Sequence, residues 1–528
     1  MPFEIPRQLN IAEEFVSRPA REHSKRTAIL GEPSHFSYSQ VEEAVCRAAN
    51  ALRECGCEPG DRVLIILPDS IEFIGAFFGA AKIGAIAVPV NSMARSADYS
   101  YYVADTGARI AIVHVSAMAE LSRISDAQEL RVLGVSGEGA ADALELTGLA
   151  FESVRKIAWD DAWNKASADC ETHGTAAADP AFLLYTSGSG GIPKAAIHRH
   201  ADMVRTSKGF AHEIMGLRAD DVCYSVSKLF FAYGLGNGMY FPFSAGASTV
   251  LDPGKPKAER TAELLAKYRP TILFSVPTFF AAMLREAERG LAIDCTSLRM
   301  AVSAGETLPT EIFEKFRERF SVEILDAIGS TEMLHMFLSP RPGHARAGSC
   351  GMEVPGCEAK IVDDEGRAVA DGEIGSLWVR GGGAFAGYWN KPELTSRTKR
   401  GDWVITGDKF TRDADGYFHY CGRADDMMKV AGMWVSPGEV ENALLGHPLI
   451  AECAVVAHAN ENGLIHPAAY IVLKSDVVRR EGMEREVRDW LRQKMVSYKC
   501  PQTVQFVENL PKTATGKIQR FRLRSTSP

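Results

Sequence analysis

The chain has 528 residues, beyond the length at which one core keeps growing, so at least two domains are expected. Hydrophobic residues make up 46% and charged residues 24%, an ordinary soluble composition, and a net charge of -8 speaks against nucleic-acid binding by bulk electrostatics. Eleven scattered cysteines form no C-x-x-C pair, which points to reduced thiols in a cytoplasmic protein, and the opening MPFEIPRQLN lacks a signal-peptide layout.

Residues 28–31 and 36–38 read as short strands. Ser39 with Glu42 gives a capping-box pattern, and Val41, Val45, Ala48, Ala49 and Leu52 recur at helical spacing, so 40–55 is expected to be an amphipathic helix. Val63 to Leu67 is a continuous apolar run, the mark of a strand buried on both faces. Asp69-Ser70 then opens a helix containing Phe73, Phe77 and Phe78. The stretch Phe73 to Val90 raises the question of a membrane span. Lys82 at its middle, Pro89 near its end and its small residues fit a helix buried between layers better. Strand and helix alternate again at Ile110–Val115, Ala117–Leu121 and Val132–Val135. This βαβα order predicts an α/β fold, a largely parallel sheet covered by helices. Residues 137–180, low in aromatics, read as irregular.

The pattern resumes with helix 200–215, strand 222–226, helix 258–268, strand 271–275, helix 277–289 and strand 299–303. From about residue 345 the texture becomes Gly-rich β, read as short strands forming a small barrel. A Gly- and charge-rich crossing follows at 422–436. Beyond it, helix 437–446, strands 452–458 and 468–473, helix 483–494 and strand 503–507 make a domain in their own right. The expected architecture is a large N-terminal domain, 1–424, and a smaller α+β domain, 425–528, that meet at Asp425.

Five stretches carry chemistry. Tyr185 to Lys194, Y-T-S-G-S-G-G-I-P-K, follows the apolar run Phe182 to Leu184. Its glycines permit positive φ and close backbone approach, its hydroxyls and amides suit phosphate oxygens, and Lys194 adds a mobile charge. The spacing is not that of a P-loop, and the composition alone also fits a flexible surface loop. Gly329-Ser330-Thr331-Glu332 follows the strand-like Ile324 to Ile328, which sets two hydroxyls and a carboxylate at a sheet's carboxyl edge. There Thr331 suits a phosphate and Glu332 a magnesium ion, although a capped helix start has the same letters. Thr406-Gly407-Asp408 and Gly422-Arg423-Ala424-Asp425 offer an Asp for ribose hydroxyls and an Arg for a phosphate or ribose oxygen, or else a turn with a surface ion pair. Pro511 to Lys517, P-K-T-A-T-G-K, presents a lysine suited to a developing oxyanion, or a solvated basic tail.

In this order the five motifs resemble those of the acyl-adenylate-forming superfamily, and the likeness spans Phe36 to Lys517. By position, it implies that Thr186, Ser187, Gly188 and Lys194 lie on the pyrophosphate side of ATP. Glu306 and Asp326, Ala327, Ile328 and Gly329 would frame adenine, Thr331 would contact the α-phosphate, and Glu332 would bind Mg²⁺. Asp408 would take the ribose hydroxyls, Arg423 the ribose–phosphate side, and Lys517 would be the adenylation lysine. Asp425 matches the hinge about which the small domain turns, and that turn would present 428–436, with Gly432, to the pantetheine arm of coenzyme A. Two departures stand out: Gly190 replaces a usual Thr and Ala195 a usual Gly, at the cost of one phosphate contact.

Phe231, Ala232 and Tyr233, within Lys228 to Asn237, pack aromatics beside small residues. Ser303, Ala304 and Gly305 supply a second wall, and Ile328, Gly329 and Met333 to Met336, with His335, a third. A flat aromatic acid needs such a slot, though core packing uses the same residues. These segments closely resemble benzoate–CoA ligases and their hydroxy- and aminobenzoate relatives. His335 and Tyr233 are the polar candidates for an ortho-amino or hydroxyl group. The resemblance thus implies an aryl-CoA ligase that uses ATP, Mg²⁺ and coenzyme A. Its rivals are an enzyme that loads a separate carrier protein, and a binder of aryl-adenylate without turnover. No nucleic-acid partner and no membrane span are expected, and a homodimer is.

Overall fold

The computed structural model describes residues 3–145, 149–187, 192–430, 433–459, 465–474, 477–512 and 518–524. The large N-terminal domain is built on two seven-stranded sheets. The first runs Arg155–Ala158, Val132–Ser136, Ile110–His114, Arg62–Ile66, Ile86–Pro89, Pro180–Ser187 and Pro193–Arg199. Its pairings are parallel except the last, a hairpin. The second runs Ile324–Asp326, Met300–Ser303, Ile272–Ser275, Val222–Ser225, Ser248–Val250, Thr27–Leu30 and Phe36–Ser37. Here too only the final pair is antiparallel. Buried on both faces, these strands read as unbroken apolar runs; Val63 to Leu67 are all 0% exposed.

Three local expectations are corrected. The capping box is Ser37 with Gln40, not Ser39 with Glu42. The helix starts at Tyr38 because that ring is a core residue, its hydroxyl donating to Ala247 O at 2.6 Å. Phe73 to Val90 is not one helix: Ile71–Lys82 is helical, Gly84 turns at φ +80°, and Ile86–Pro89 is an interior strand. Lys82 is buried, its ammonium donating to Ser17 Oγ and Thr172 Oγ1. Nor is 137–180 irregular, since it contains helices Ala140–Glu145 and Trp159–Lys165 and the edge strand Arg155–Ala158. A few large residues, fully buried Phe151 and Trp159 among them, anchor what its bulk composition disguises.

The Gly-rich region expected as a small barrel is an antiparallel sheet of Cys357–Val362, Gly375–Gly381, Trp403–Arg412, Lys399–Arg400 and Phe418–Arg423. It shares one apolar core, including Phe337, Leu377, Phe410 and Phe418, with a three-stranded sheet of Ile328–Gly329, Met336–Ser339 and Met352–Glu353.

The smaller C-terminal domain has its own core around Val440, Leu444, Val455, Ile471 and Leu491. Strands Ile450–Ala459 and Ile465–Leu473 pair antiparallel, Thr503–Phe506 adds in parallel, and helices Pro437–Leu445 and Met483–Lys494 complete it. Inside it, buried Glu441 takes Arg520 Nη2 on both oxygens, at 2.9 and 2.7 Å, and the Val455 N–H at 2.7 Å. Among the described residues no helix is long and apolar enough to cross a membrane.

Helices Tyr38–Glu54 and Ile71–Lys82 touch through small residues. A Cβ on Gly79 would lie 2.9 Å from Ala49 N and 3.0 Å from Ala48 Cβ. Gly79→Val is therefore expected to cost about 1–3 kcal/mol, read as a lower urea midpoint.

Candidate active site

Three adjacent parallel strands of the second sheet end together at Ser275, Ser303 and Asp326. This carboxyl edge is where open α/β sheets receive ligands. Ser275 Oγ and Ser303 Oγ are buried without a hydrogen-bond partner among the described residues. Burial pushes the Asp326 carboxyl well above the usual range, opposed only by the Leu308 N–H. The chain then bends, the Ala327 N–H donating to Ser303 O at 2.9 Å. At Gly329 any Cβ would lie 2.5 Å from His335 O, so the hairpin to Met336 closes only on glycine. Ser330 caps the short turn Thr331–Met333. Leu334 sits at φ 64° and ψ -44°, and the His335 N–H donates to Met333 O at 2.8 Å. That is a γ-turn of the strained hand, held on a leucine by its surroundings.

The two ends of the phosphate-loop motif are strands, where its composition implies loop. Tyr185 to Ser187 and Pro193-Lys194 lie in the paired strands Pro180–Ser187 and Pro193–Arg199, with Thr186 opposite Lys194. Gly188 and its neighbours through Gly191 lie outside the described residues, as does the Ser187 side chain. Lys194 Nζ lies 3.1 Å from Glu332 Oε1, with the two side chains 17% and 15% exposed. Tyr388, which the sequence reading passed over, completes the cluster. Its hydroxyl accepts from Lys194 Nζ at 2.5 Å and donates to Glu332 Oε1, and Lys194 Nζ sits 4.2 Å above its ring. Burial would raise the Glu332 carboxyl, but the Lys194 charge and the Tyr388 hydrogen bond outweigh it and hold it below the usual range. Thr331 is fixed from behind, its carbonyl accepting from His198 Nε2 at 2.8 Å.

The aromatic segment meets the same sheet edge through Tyr233. Phe231, Ala232 and Tyr233 are partly buried against the main core. Their loop folds tightly on itself, since a Cβ on Gly234 would lie 2.1 Å from Lys228 O. The Tyr233 hydroxyl, expected to meet a ring substituent, gives its one proton to the backbone, where Ser275 O and Val302 O lie at 3.2 and 3.0 Å, so only its acceptor side is left for such a group. His335 lies between Phe210, Tyr233 and Phe241, with ring centroids at 5.3, 5.7 and 4.4 Å. Its Nε2 faces two acceptors, Asn237 Oδ1 at 3.1 Å and Tyr233 O at 3.4 Å, so Nε2 carries the proton. Its Nδ1 is then a bare acceptor, buried without a partner among the described residues. Ala304, Gly305 and Glu306 follow the strand ending at Ser303, with Gly305 at φ +88° and Glu306 half-buried.

Asp408 and Arg423 meet across the antiparallel sheet, Oδ1 to Nη1 at 3.1 Å. Asp425 stands exposed in the turn after strand Phe418–Arg423. Gly432 and Lys517 lie outside the described residues. The structure thus brings Thr186, Lys194, Thr331 and Glu332 together, sets Ser303, Asp326, Tyr233 and His335 along one sheet edge, and joins Asp408 to Arg423. No local signal marks Tyr388: an aromatic between Gly387 and Trp389 reads as core.

Burial lowers the His335 imidazole from 6.5 to about 3. The folded state therefore binds fewer protons than the unfolded chain between those values. The stability this residue contributes is complete above pH 6.5 and is lost, by up to about 1.4 kcal/mol per pH unit, as the pH falls toward 3. Urea midpoints measured from pH 6.5 to 4 should decline less steeply for His335→Gln than for the parent chain.

Comparison with known proteins identifies the family. Residues 16–389 match the family model described as AMP-binding enzyme, and 439–517 match its C-terminal domain. The benzoate–CoA ligase of Thauera aromatica is 38% identical over 99% of this chain and 97% of its own length. An anthranilate–CoA ligase solved with anthranoyl-AMP superposes with a TM-score of 0.92 at 37% identity, covering 99% of this chain and 98% of its own. The benzoate–CoA ligase of Burkholderia xenovorans LB400 gives 0.88 at 36% identity, covering 98% and 100%. With both parts of the family model matched in order across the chain, the protein belongs to the AMP-binding enzymes.

Proposed function

We propose that the protein is an ATP-dependent aryl-CoA ligase that activates an aromatic carboxylic acid of the benzoate or 2-aminobenzoate type. The observation that carries this reading is the Lys194–Glu332 pair, set 3.1 Å apart, with Glu332 following the sheet edge on which Tyr233 rests. A carboxylate oxygen of the acid attacks the α-phosphorus of ATP, and the bond to pyrophosphate breaks. The thiol sulfur of coenzyme A then attacks the acyl carbon of the aryl-adenylate, and AMP leaves.

The protein mainly positions and neutralises in both steps. In this reading Thr186, Ser187, Gly188 and Lys194 hold the pyrophosphate side, and Thr331 the α-phosphate. Glu306 and Asp326 to Gly329 border adenine, Asp408 and Arg423 the ribose. Glu332 fits Mg²⁺: an ionised, nearly buried carboxylate is the hard oxygen donor that ion prefers. Bound there, the ion would offset phosphate charge. Phe231, Ala232, Ser303, Ala304, Gly305 and His335 line the aromatic acid, and His335 Nδ1 is an acceptor that an ortho N–H or O–H would satisfy. Turning at Asp425 moves Lys517 in for adenylation, then replaces it with the segment around Gly432 for thioester formation. Eleven unpaired thiols suit a cytoplasmic location.

The decisive experiment is a panel of benzoate, 2-aminobenzoate, hydroxybenzoates and hexanoate, scored for AMP release with coenzyme A or with a phosphopantetheinylated carrier protein. At least one benzoate should exceed hexanoate about tenfold or more, with coenzyme A as acceptor; faster hexanoate turnover would refute the aromatic slot. A second expectation concerns the mobile domain. Lys517→Ala should slow pyrophosphate release about 10²–10³-fold while aryl-AMP supplied with coenzyme A is still converted to thioester, and equal loss of both half-reactions would count against the hinge.

A further inference from the structure

We propose that Tyr388 is a positioning residue for nucleotide binding, its hydroxyl holding the Glu332 carboxylate and the Lys194 ammonium in the arrangement that metal-bound triphosphate meets. This rests on the reading of Glu332 and Lys194 given above.

Tyr388 is 3% exposed, and every part of it is fixed. Its segment lies along strand Pro193–Arg199, with the Ile197 N–H donating to Gly387 O and the Trp389 N–H to Ala195 O, both at 2.9 Å. Its own N–H donates to Thr395 Oγ1 at 2.8 Å, and its ring packs on Phe385 at 4.7 Å. The hydroxyl therefore cannot follow a moving partner; its partners must come to it. It has one proton to give, and gives it to Glu332 Oε1, while its lone pair receives Lys194 Nζ.

The consequence is a division of labour on one carboxylate. The described contacts from Lys194 and Tyr388 both fall on Oε1. Before nucleotide binds, Lys194 neutralises Glu332. When a triphosphate draws the ammonium toward its own oxygens, the carboxylate loses its counter-charge but keeps the phenol. The remaining hydrogen bond holds the carboxylate's orientation, and the incoming cation meets a carboxylate that needs no reordering. Groups that orient a metal-binding side chain from behind commonly govern affinity about 10–100-fold.

Tyr388→Phe removes only the hydroxyl and retains the ring on Phe385 and beneath Lys194. Binding of Mn²⁺·ATP to the full chain, followed by manganese electron paramagnetic resonance, is compared for parent, Tyr388→Phe and Glu332→Gln, together with thermal midpoints and the benzoate KM. Tyr388→Phe should weaken Mn²⁺·ATP binding about 10–100-fold, raise the Mg²⁺ concentration needed for half-maximal pyrophosphate release, and leave the midpoint and the benzoate KM unchanged. Normal Mn²⁺·ATP binding by Tyr388→Phe with impaired Glu332→Gln would overturn the role of Tyr388 alone. Normal binding by Glu332→Gln would overturn both this inference and the reading beneath it. A fall in thermal midpoint with a matching rise in benzoate KM would make Tyr388 a packing residue only.

Discussion

A lysine and a glutamate from distant parts of the chain meet where each retains less than a fifth of its side-chain exposure. Such a contact is costly to assemble, because both charges surrender water, and costly to disrupt, because either one alone would be left uncompensated. The architecture supplies what that contact needs. Strand Pro193–Arg199 carries the lysine, the capped turn after Ser330 carries the glutamate, and Tyr388 bonds to both. A protein of net charge -8 thereby keeps a lysine and a glutamate paired where little water reaches them.

Long-range pairing makes this geometry rigid. Strand Thr27–Leu30, near the start of the chain, enters the second sheet only by pairing with Ser248–Val250. The three strands that end at Ser275, Ser303 and Asp326 are locked in parallel register beyond it. The small domain is organised around itself. It has its own apolar core, and Arg520 is tied by Glu441 to the same domain's helix Pro437–Leu445 and strand Ile450–Ala459.

Periodicity conveyed most of this fold. Helix Ala258–Tyr268 has the expected limits, and the small-domain elements fall within three residues of theirs. What escaped was set by partners far away in sequence. Tyr185 to Lys194 read as a loop because glycine and proline dominate it, yet its ends are strands. Trp159 and Phe151 organise a stretch whose average composition is that of a linker. The same limit applies at the site. Motif letters found Lys194, Glu332, Asp408 and Arg423, whose contacts follow from charge. They could not find Tyr388, whose importance lies wholly in what it touches, nor show that backbone carbonyls take the Tyr233 proton.

The γ-turn at Leu334 has a bearing on how ligands are chosen. A leucine at φ 64° persists only because its neighbours leave it no alternative. His335, the next residue, is therefore presented in one orientation before any ligand arrives. If the aromatic slot proposed above is the acid's site, a flat molecule that matches that wall pays no entropy to organise it, whereas a bulky one must first dismantle the bend. Inhibitor chemistry aimed here is best served by rigid, planar scaffolds.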